Sequence, residues 1–393
     1  MSRSATHFYN HYITKLFNTD LHLFEFSVWL QAFAQALISV FVPIILWKLG
    51  LSLKQIVIFY LLFDFLDVPL NLVAKNLISR YGARTIVILA IFAELLYFVF
   101  LYNLHNSWIM IFFLALFLAI YDAFYWVGHL YIFSTASHKT SLLNSDVSTL
   151  KNFRILGGLV APLVGAYILT FKDPNTLIFF SSLVMFGSLI PLFKMRHLKF
   201  IPEKASGTFK EFFQSSFEKK NYFFISLAAL RQELEDVIWP FFLFFVFNSF
   251  STVAFVPVVV DLMELVLITK IGKLSRKRNF SKLINFGAIG VLLLWVLRLF
   301  NYHNETFALI SVAVVALLAI FIDIPLEINI FQRAHQIDEL SAVTYMNLFR
   351  MLARGILYLV LFFFVIFWGT YFIASFYLII ALLLILAVSA RIL

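Results

Sequence analysis

The chain contains no cysteine, so neither a disulfide nor a thiolate metal site exists in it. Charge is scarce as well: Asp, Glu, Lys and Arg together make up 13% of the 393 residues. There is no phosphate-binding loop, no metal-ligand spacing and no Gly-x-Ser-x-Gly turn, and the nine His are scattered. These absences argue against an enzyme, and no cofactor or metal is expected. No segment reads as a soluble domain, which argues against an ATP-driven pump, and nothing suggests the filter or charge ring of a channel. The first twenty residues mix His, Tyr, Asn, Lys and Asp without an apolar core, so no cleavable signal peptide is expected.

What is present is apolar. Hydrophobic residues make up 62% of the chain and aromatic ones 19%, including 50 Phe, with a mean hydropathy of +0.94. No water-soluble domain needs that much apolar surface, whereas a polytopic membrane protein does. Runs of about twenty apolar residues, the length that crosses a bilayer as helix, recur along the chain. They do not alternate polar and apolar residues as barrel strands would. The runs predict spans at Leu21 to Leu46, Gln55 to Ile78, Thr85 to Leu101, Trp108 to Ile132, Val147 to Phe171 and Thr176 to Phe193. Six more follow at Asn221 to Phe247, Ser251 to Ile271, Leu283 to Leu299, Thr306 to Phe331, Val343 to Trp368 and Thr370 to Val388. The expected fold is thus an all-α membrane protein of twelve transmembrane helices.

Between spans 6 and 7 lies the longest polar stretch, Phe193 to Asn221, which carries seven Lys or Arg. Short segments rich in these residues stay on the cytoplasmic side. Within it Phe209, Phe212, Phe213 and Phe217 recur at helical spacing, the pattern of a short helix lying in the headgroup region. The chain therefore divides into a six-helix bundle over 1–193, a cytoplasmic linker over 194–220 and a second six-helix bundle over 221–393. With the N-terminus inside, 21 of the 30 Lys and Arg fall in cytoplasmic segments, five fall within spans, and only Lys48, Lys54, Lys172 and Arg298 fall in outside loops. That bias puts both termini in the cytoplasm. The net charge of +9 invites a nucleic-acid reading, but the basic residues sit in loops between spans and read as topology determinants and lipid contacts, so no nucleic-acid partner is expected.

The two halves resemble each other. A shift of 197 residues lays Gln35 and Pro43 onto Gln232 and Pro240, Asp64 and Asp67 onto Asp261 and Glu264, and Arg80 onto Lys277; a shift of 196 lays Asn152, Phe153 and Arg154 onto Leu348, Phe349 and Arg350. Six spans repeated in the same orientation predict two pseudo-symmetric bundles enclosing a site between them. Twelve spans, this repeat and a basic central loop resemble the major facilitator superfamily over essentially the whole chain. Lys75 to Arg84, between spans 2 and 3, is similar to that family's signature G-x-x-x-D-R-x-G-R-R at Arg80, Gly82 and Arg84, with Ser79 in place of the signature Asp. The stretch Gly157 to Ala166 is similar to the end of the family's antiporter motif at Gly157, Pro162 and Gly165, and equally fits ordinary close helix packing through small residues.

A charge at the bilayer centre costs about 2.5–3.5 kcal/mol on insertion scales, so charged residues there must face a cavity or a partner. In span 4 Asp122, Tyr125, Trp126 and His129 share one helical face. Arg154 in span 5 lies at a depth comparable to that of Asp122, and Asp323 and Glu327 in span 10 repeat the arrangement with Arg350 and Arg354 in span 11. These acids, His129 and the arginines are candidates for proton coupling or for static pairs. In span 7 Arg231 and Glu235 stand four residues apart and read as a mutually neutralising pair; Glu233 and Asp236 share another face, and Pro240 permits bending there, as Pro43 does in span 1. In a protein of this family spans 1, 4, 7 and 10 would line the cavity. The substrate-site candidates are then Gln31, Gln35, Tyr125, Trp126, Gln232, Glu233, Asp236 and Trp239, a mixture of acids and aromatics suited to a cationic or amphipathic molecule. Asp64, Asp67, Asp261 and Glu264, with Arg80, Gly82 and Arg84, are candidates for gating, the four acids equally for carrying protons. Glu94 has no evident partner.

The expected function is a secondary carrier working by alternating access, moving a small molecule in exchange for protons as a monomer in a bacterial inner (cell) membrane. Export of an amphipathic or cationic compound is one reading, uptake of a sugar, nucleoside or other nutrient a second, and a non-transporting sensor or scaffold a third.

Overall fold

The computed structural model describes residues 20–139, 143–195, 216–275, 280–334, 339–367 and 371–389. The described residues form helices and no strand. The first half holds α1 (Asp20–Ile38), α2 (Val42–Lys48), α3 (Leu53–Tyr81), α4 (Ala83–Tyr102), α5 (Trp108–Lys139), α6 (Leu143–Phe171), α7 (Pro174–Gly187) and α8 (Leu189–Lys194). The second holds α9 (Ser216–Glu233), α10 (Trp239–Phe247), α11 (Phe250–Ser275), α12 (Phe280–Asn301), α13 (Glu305–Ala334), α14 (Glu339–Phe367) and α15 (Tyr371–Ser389). Eight helical stretches among the described residues are long and apolar enough to cross a membrane, and large apolar side chains such as Leu89, Phe92, Leu96 and Val99 on α4 project outward rather than into the core. That is the surface of an integral membrane protein. The interfacial helix expected around Phe209 to Phe213 lies outside the described residues.

Local chemistry sets the breaks. A 3₁₀ turn at Ser39–Phe41 precedes Pro43, and a π-helical turn at Leu234–Ile238 precedes Pro240. Each proline lacks the N–H that would close a regular turn behind it. Both positions thus depart from regular α geometry, and before Pro240 the turn takes the wider π form. At the start of α3 the Ser52 hydroxyl accepts from the Gln55 N–H while the Gln55 side chain accepts from the Ser52 N–H, a reciprocal cap. Gly82, at φ 83°, makes the tight corner between α3 and α4 that a side chain would strain. Arg84 donates to the Phe193 carbonyl at 3.3 Å, tying that corner to the end of α8. Ser79 donates to the Asn76 carbonyl at 2.8 Å, so the position that carries Asp in the family signature is turned back onto its own helix. Arg80 is exposed.

On the far side Asp173 caps α7. Its carboxylate accepts from the Thr176 backbone N–H at 2.9 Å and from the Thr176 hydroxyl at 3.0 Å, and these bonds hold its carboxyl below the ordinary Asp value. A depressed carboxyl contributes stability that is complete above the ordinary carboxylate range and is lost as pH falls through its lowered value. Asp173→Ala should therefore lower the unfolding temperature slightly at neutral pH and leave it unchanged in strong acid, where the cap is already protonated.

Glycines set how closely the helices cross. A Cβ on Gly165 of α6 would lie 2.2 Å from the Leu37 carbonyl oxygen and 2.9 Å from the Phe41 ring, so α6 presses on α1 backbone to backbone. Gly165→Ala should destabilise by about 1–3 kcal/mol, the range for overpacking. Gly187, with nothing within 4 Å, is the control whose alanine variant should melt within about 1 kcal/mol of the parent.

Candidate functional site

The halves meet along two crossings, α3 on α14 and α6 on α11. Each has an acid set against a glycine of the other half. A Cβ on Gly355 would touch the Asp64 Cβ at 3.5 Å, and one on Gly158 would lie 2.6 Å from Asp261 Oδ2. The two glycines and the two acids are each separated by the same 197 residues that relate the halves in sequence. Only the first crossing carries an arginine in register: Arg354 precedes Gly355, whereas Gly157 precedes Gly158.

Arg354 is the centre of the site. Its Nε lies 2.8 Å from Glu233 Oε2 at the end of α9 and 3.2 Å from Asp64 Oδ1 on α3, and its guanidinium sits 5.5 Å from the Phe63 ring. Asp122 of α5 also faces it electrostatically. Tyr358, one turn along α14, donates a short hydrogen bond to Glu233 Oε1 and stacks on Tyr60 with centroids 5.0 Å apart. On the other side of Arg354, Asn347 donates to Asn71 Oδ1 at 2.8 Å; Asn71 in turn donates to the Asp67 carbonyl at 2.9 Å and to Asp67 Oδ1. Asp122 lies near Asp67, Trp126 and Asn347. Glu94, for which the sequence offered no partner, is buried on α4 beside Asp122 and Tyr97. One guanidinium thus stands among Asp64, Asp67, Asp122 and Glu233, contributed by three helices of both halves.

A second buried network lies in the later half. Glu235, in the π turn, accepts from Arg298 Nη1 at 2.9 Å and from the Trp295 indole at 2.5 Å. Arg298 Nε donates to Ser311 at 2.8 Å, and its guanidinium lies 4.2 Å from the Trp239 ring and 4.7 Å from that of Trp295. Arg298 is fully buried, which corrects its assignment to an outside loop. The charge count treats a basic residue near a span end as a loop residue, but an acid on a neighbouring helix can hold it inside. The expected Arg231–Glu235 pair is likewise corrected: the wide turn points Glu235 at α12, and Arg231 donates instead to Asp323 of α13 at 2.6 Å. Arg354, expected to pair with Asp323 or Glu327, pairs with Glu233 of its own half and, across the halves, with Asp64.

The remaining candidates are spread around these two networks. Tyr125 stacks between Tyr121 at 5.3 Å and His129 at 5.2 Å, and His129 continues onto Phe24 at 5.9 Å; Trp126 meets Tyr125 edge-on. Gln31 donates to Ser27, whose hydroxyl reaches the Ser188 carbonyl, so it faces the α7–α8 break and stands apart from Arg354. Gln35, Gln232, Asp261, Glu264 and Arg350 are half-buried, and Asp236, within the π turn, is exposed. The side chains of Arg154 and Glu327 lie outside the described residues, as does Lys277. Among the described residues no group of three or more His, Cys, Asp or Glu could hold a metal ion. A surface cavity of about 450 Å³ lined by Tyr102, Asp173, Asn175, Thr176 and Phe179 lies at the ends of α4 and α7, away from both networks. On the side of the α1–α2 end, Trp47 packs on Phe245 at 5.2 Å and the Lys48 ammonium sits 4.4 Å from the Phe250 ring, so the halves are in contact there too.

Arg354 was legible only as a residue of span 11. Nothing in the spacing identified its partners, because Asp64 and Glu233 reach it from 290 and 121 residues away. Asn71 and Asn347 were missed altogether, although an amide within an apolar run is itself a signal.

No family model matches the sequence, and no curated protein matches it. Solved structures do match in fold. A POT family transporter in complex with a thioalcohol-conjugated peptide is 11% identical, with 94% of this chain and 96% of that one covered at a TM-score of 0.73. The nucleoside transporter NupG is 11% identical over 95% of this chain and 98% of its own, at 0.69. A bacterial homologue of the iron transporter ferroportin, in its outward-facing state, is 14% identical over 95% and 98%, at 0.67. The chain therefore has the fold of the major facilitator superfamily transporters, the resemblance its sequence carried.

Proposed function

We propose that this protein is a secondary transporter in which twelve spans form two bundles rocking about the Arg354 site, and that it exports an amphipathic or cationic compound in exchange for protons. The observation that carries the reading is the charge balance at the meeting of the halves. Asp64, Asp67, Asp122 and Glu233 surround one guanidinium, and buried negative charge in excess of its counter-ion must be neutralised by a proton or by a cation. A site that takes either one excludes the other. Such exclusion is exchange, and an inward proton gradient then drives the cation out. Tyr60, Tyr358, Phe63 and Trp126 supply the faces that favour a cation with an apolar body. The three solved transporters are not enzymes, in keeping with the absence of enzyme motifs.

The topology that goes with this reading has both termini cytoplasmic, and the rocking unit is a monomer. The test is transport by protein in liposomes with the membrane potential clamped and ethidium as the cation. Vesicles acid inside should accumulate ethidium several-fold over vesicles without a gradient, and the accumulation should collapse with a protonophore. Accumulation of sugars or nucleosides under the opposite gradient would replace export with uptake. Absence of any proton-linked flux across the panel would leave a sensor or scaffold.

A further inference from the structure

Three cations gather where the α3–α4 corner meets the end of α8. Arg80 lies in the last turn of α3 and Arg84 in the first turn of α4, on either side of Gly82. The bond from Arg84 to the Phe193 carbonyl at 3.3 Å brings the end of α8 against them, and Lys194 is the next residue. No acid answers this charge. The sequence holds no Asp or Glu between Asp67 and Glu94, and none between Asp173 and Glu203. Ser79, where the family signature carries an acid, bonds to the Asn76 carbonyl instead. Among the described residues Arg80 and Lys194 make no ion pair or hydrogen bond, and Arg84 reaches a neutral carbonyl while its Nε has no partner. Arg80, Lys194 and the flanking Tyr81 and Phe193 are all exposed. An outward apolar face begins directly beyond them. Leu89, Phe92 and Leu96 project from α4, and Leu183, Phe186 and Ile190 from α7 and α8, against which α4 packs.

We infer that Arg80, Arg84 and Lys194 bind the phosphate of an anionic phospholipid whose acyl chains lie on the outward face of α4, α7 and α8. The two parts of the surface match the two parts of that ligand. Guanidinium groups take phosphate oxygens through charge-assisted N–H bonds and the Lys ammonium takes them as a point charge, while an exposed apolar face at membrane depth has acyl chains as its solvent. A soluble anion would use the first part alone. Basic residues in a loop can serve topology without holding any particular lipid. Here Arg84 and Lys194 stand on different helices, so a phosphate between them ties the start of α4 to the end of α8, alongside the bond from Arg84 to Phe193. Bound lipid therefore stabilises the corner at the end of the bundle that the topology proposed above turns to the cytoplasm.

The lipid site holds for an exporter, an importer or a scaffold alike, and its test measures no transport. The purified full chain in neutral detergent is melted at increasing concentrations of dioleoyl phosphatidylglycerol, with unfolding followed by tryptophan fluorescence. The melting temperature of the parent should rise by several degrees and saturate. Dioleoyl phosphatidylcholine, which has the same chains, and glycerol 3-phosphate, which has the anionic head without them, should leave it unmoved at matched concentrations. Arg80→Gln combined with Lys194→Gln is the decisive variant, because both side chains are exposed and make no bond among the described residues, so the fold survives their loss. In it the lipid concentration giving half the shift should rise about tenfold or more, each interfacial cation being worth several-fold. Lys54→Gln combined with Lys172→Gln removes as much exposed charge at the opposite end of the bundle and should respond like the parent. Arg84→Gln should lose the lipid response and also melt lower without lipid, since it gives up the bond to Phe193. A parent with no saturable shift, an equal shift with phosphatidylcholine or glycerol 3-phosphate, or the same loss in the Lys54 and Lys172 control would overturn the site. So would a lipid response that appears only when Glu203→Gln and Glu211→Gln are combined, because the linker acids would then be the partners of these cations.

Discussion

Arg354→Met is expected to abolish transport and to lower the unfolding free energy by about 3–5 kcal/mol, the loss found when one partner is taken from a buried ion pair. The mechanism is specific. Glu233 and Asp64 keep their charges in a place where, among the described residues, their only direct ionic contact was the Arg354 Nε, at 2.8 and 3.2 Å. Tyr358 still donates to Glu233, and one neutral donor does not replace a cation. The contact also joins the halves, so the variant should loosen the α3–α14 crossing before it unfolds either half. Restoring the balance separates the two effects. Arg354→Met combined with Glu233→Gln and Asp64→Asn leaves no uncompensated charge at the triad, and thermal unfolding in detergent should recover most of the lost stability. Ethidium exchange should not recover, because the groups that alternate between guanidinium and substrate are gone. Arg354→Lys keeps a charge without the planar, delocalised and weakly hydrated guanidinium, and should transport at a rate between the two. A fully stable, fully active Arg354→Met protein would show that this cluster has no part in either role.

The helices were legible in the sequence because an apolar run of bilayer length is a local cause, and Pro43 and Pro240 marked the irregular turns through a missing backbone N–H. The pairing of charges was not legible, and the errors share a physical origin. Sequence spacing detects partners on one helix, so it pairs Arg231 with Glu235. The structure gives Arg231 to Asp323 and Glu235 to Arg298, because five residues wound as a π turn face differently from five residues wound as α helix. Arg298 was read as an outside residue by counting charges near span ends, which cannot see an acid on the next helix. Asp64 and Asp67 fall inside an apolar run, and both are wholly buried on α3. Depth identifies residues that need a partner. Only the tertiary packing identifies which one.

Arg298 offers the sharpest contrast with Arg354, because it is more deeply buried and pairs with one acid in a network within one half. Arg298→Met should cost about 3–5 kcal/mol by leaving Glu235 uncompensated, and Glu235→Leu a similar amount by leaving the guanidinium. The double variant removes both charges into an apolar setting and should be less destabilised than either single one. Its residual cost comes from the Trp295 indole N–H, which loses the acceptor it reaches at 2.5 Å and so forfeits about 1–3 kcal/mol. Ser311 loses Arg298 but keeps its own bond to the Ala308 carbonyl at 2.6 Å, so it adds little. The coupling energy from the four proteins, measured by thermal unfolding, should therefore be large and favourable, while transport per folded molecule should stay within a few-fold of the parent in the double variant. Trp239 is stacked against this guanidinium at 4.2 Å, so Trp239→Phe should lower the melting temperature without changing the apparent affinity for ethidium. Loss of exchange in the double variant, with stability recovered, would instead make the π turn part of the transport cycle, since Glu235 lies only two residues from Glu233 and anything that rewinds the turn must move the carboxylate that Arg354 holds.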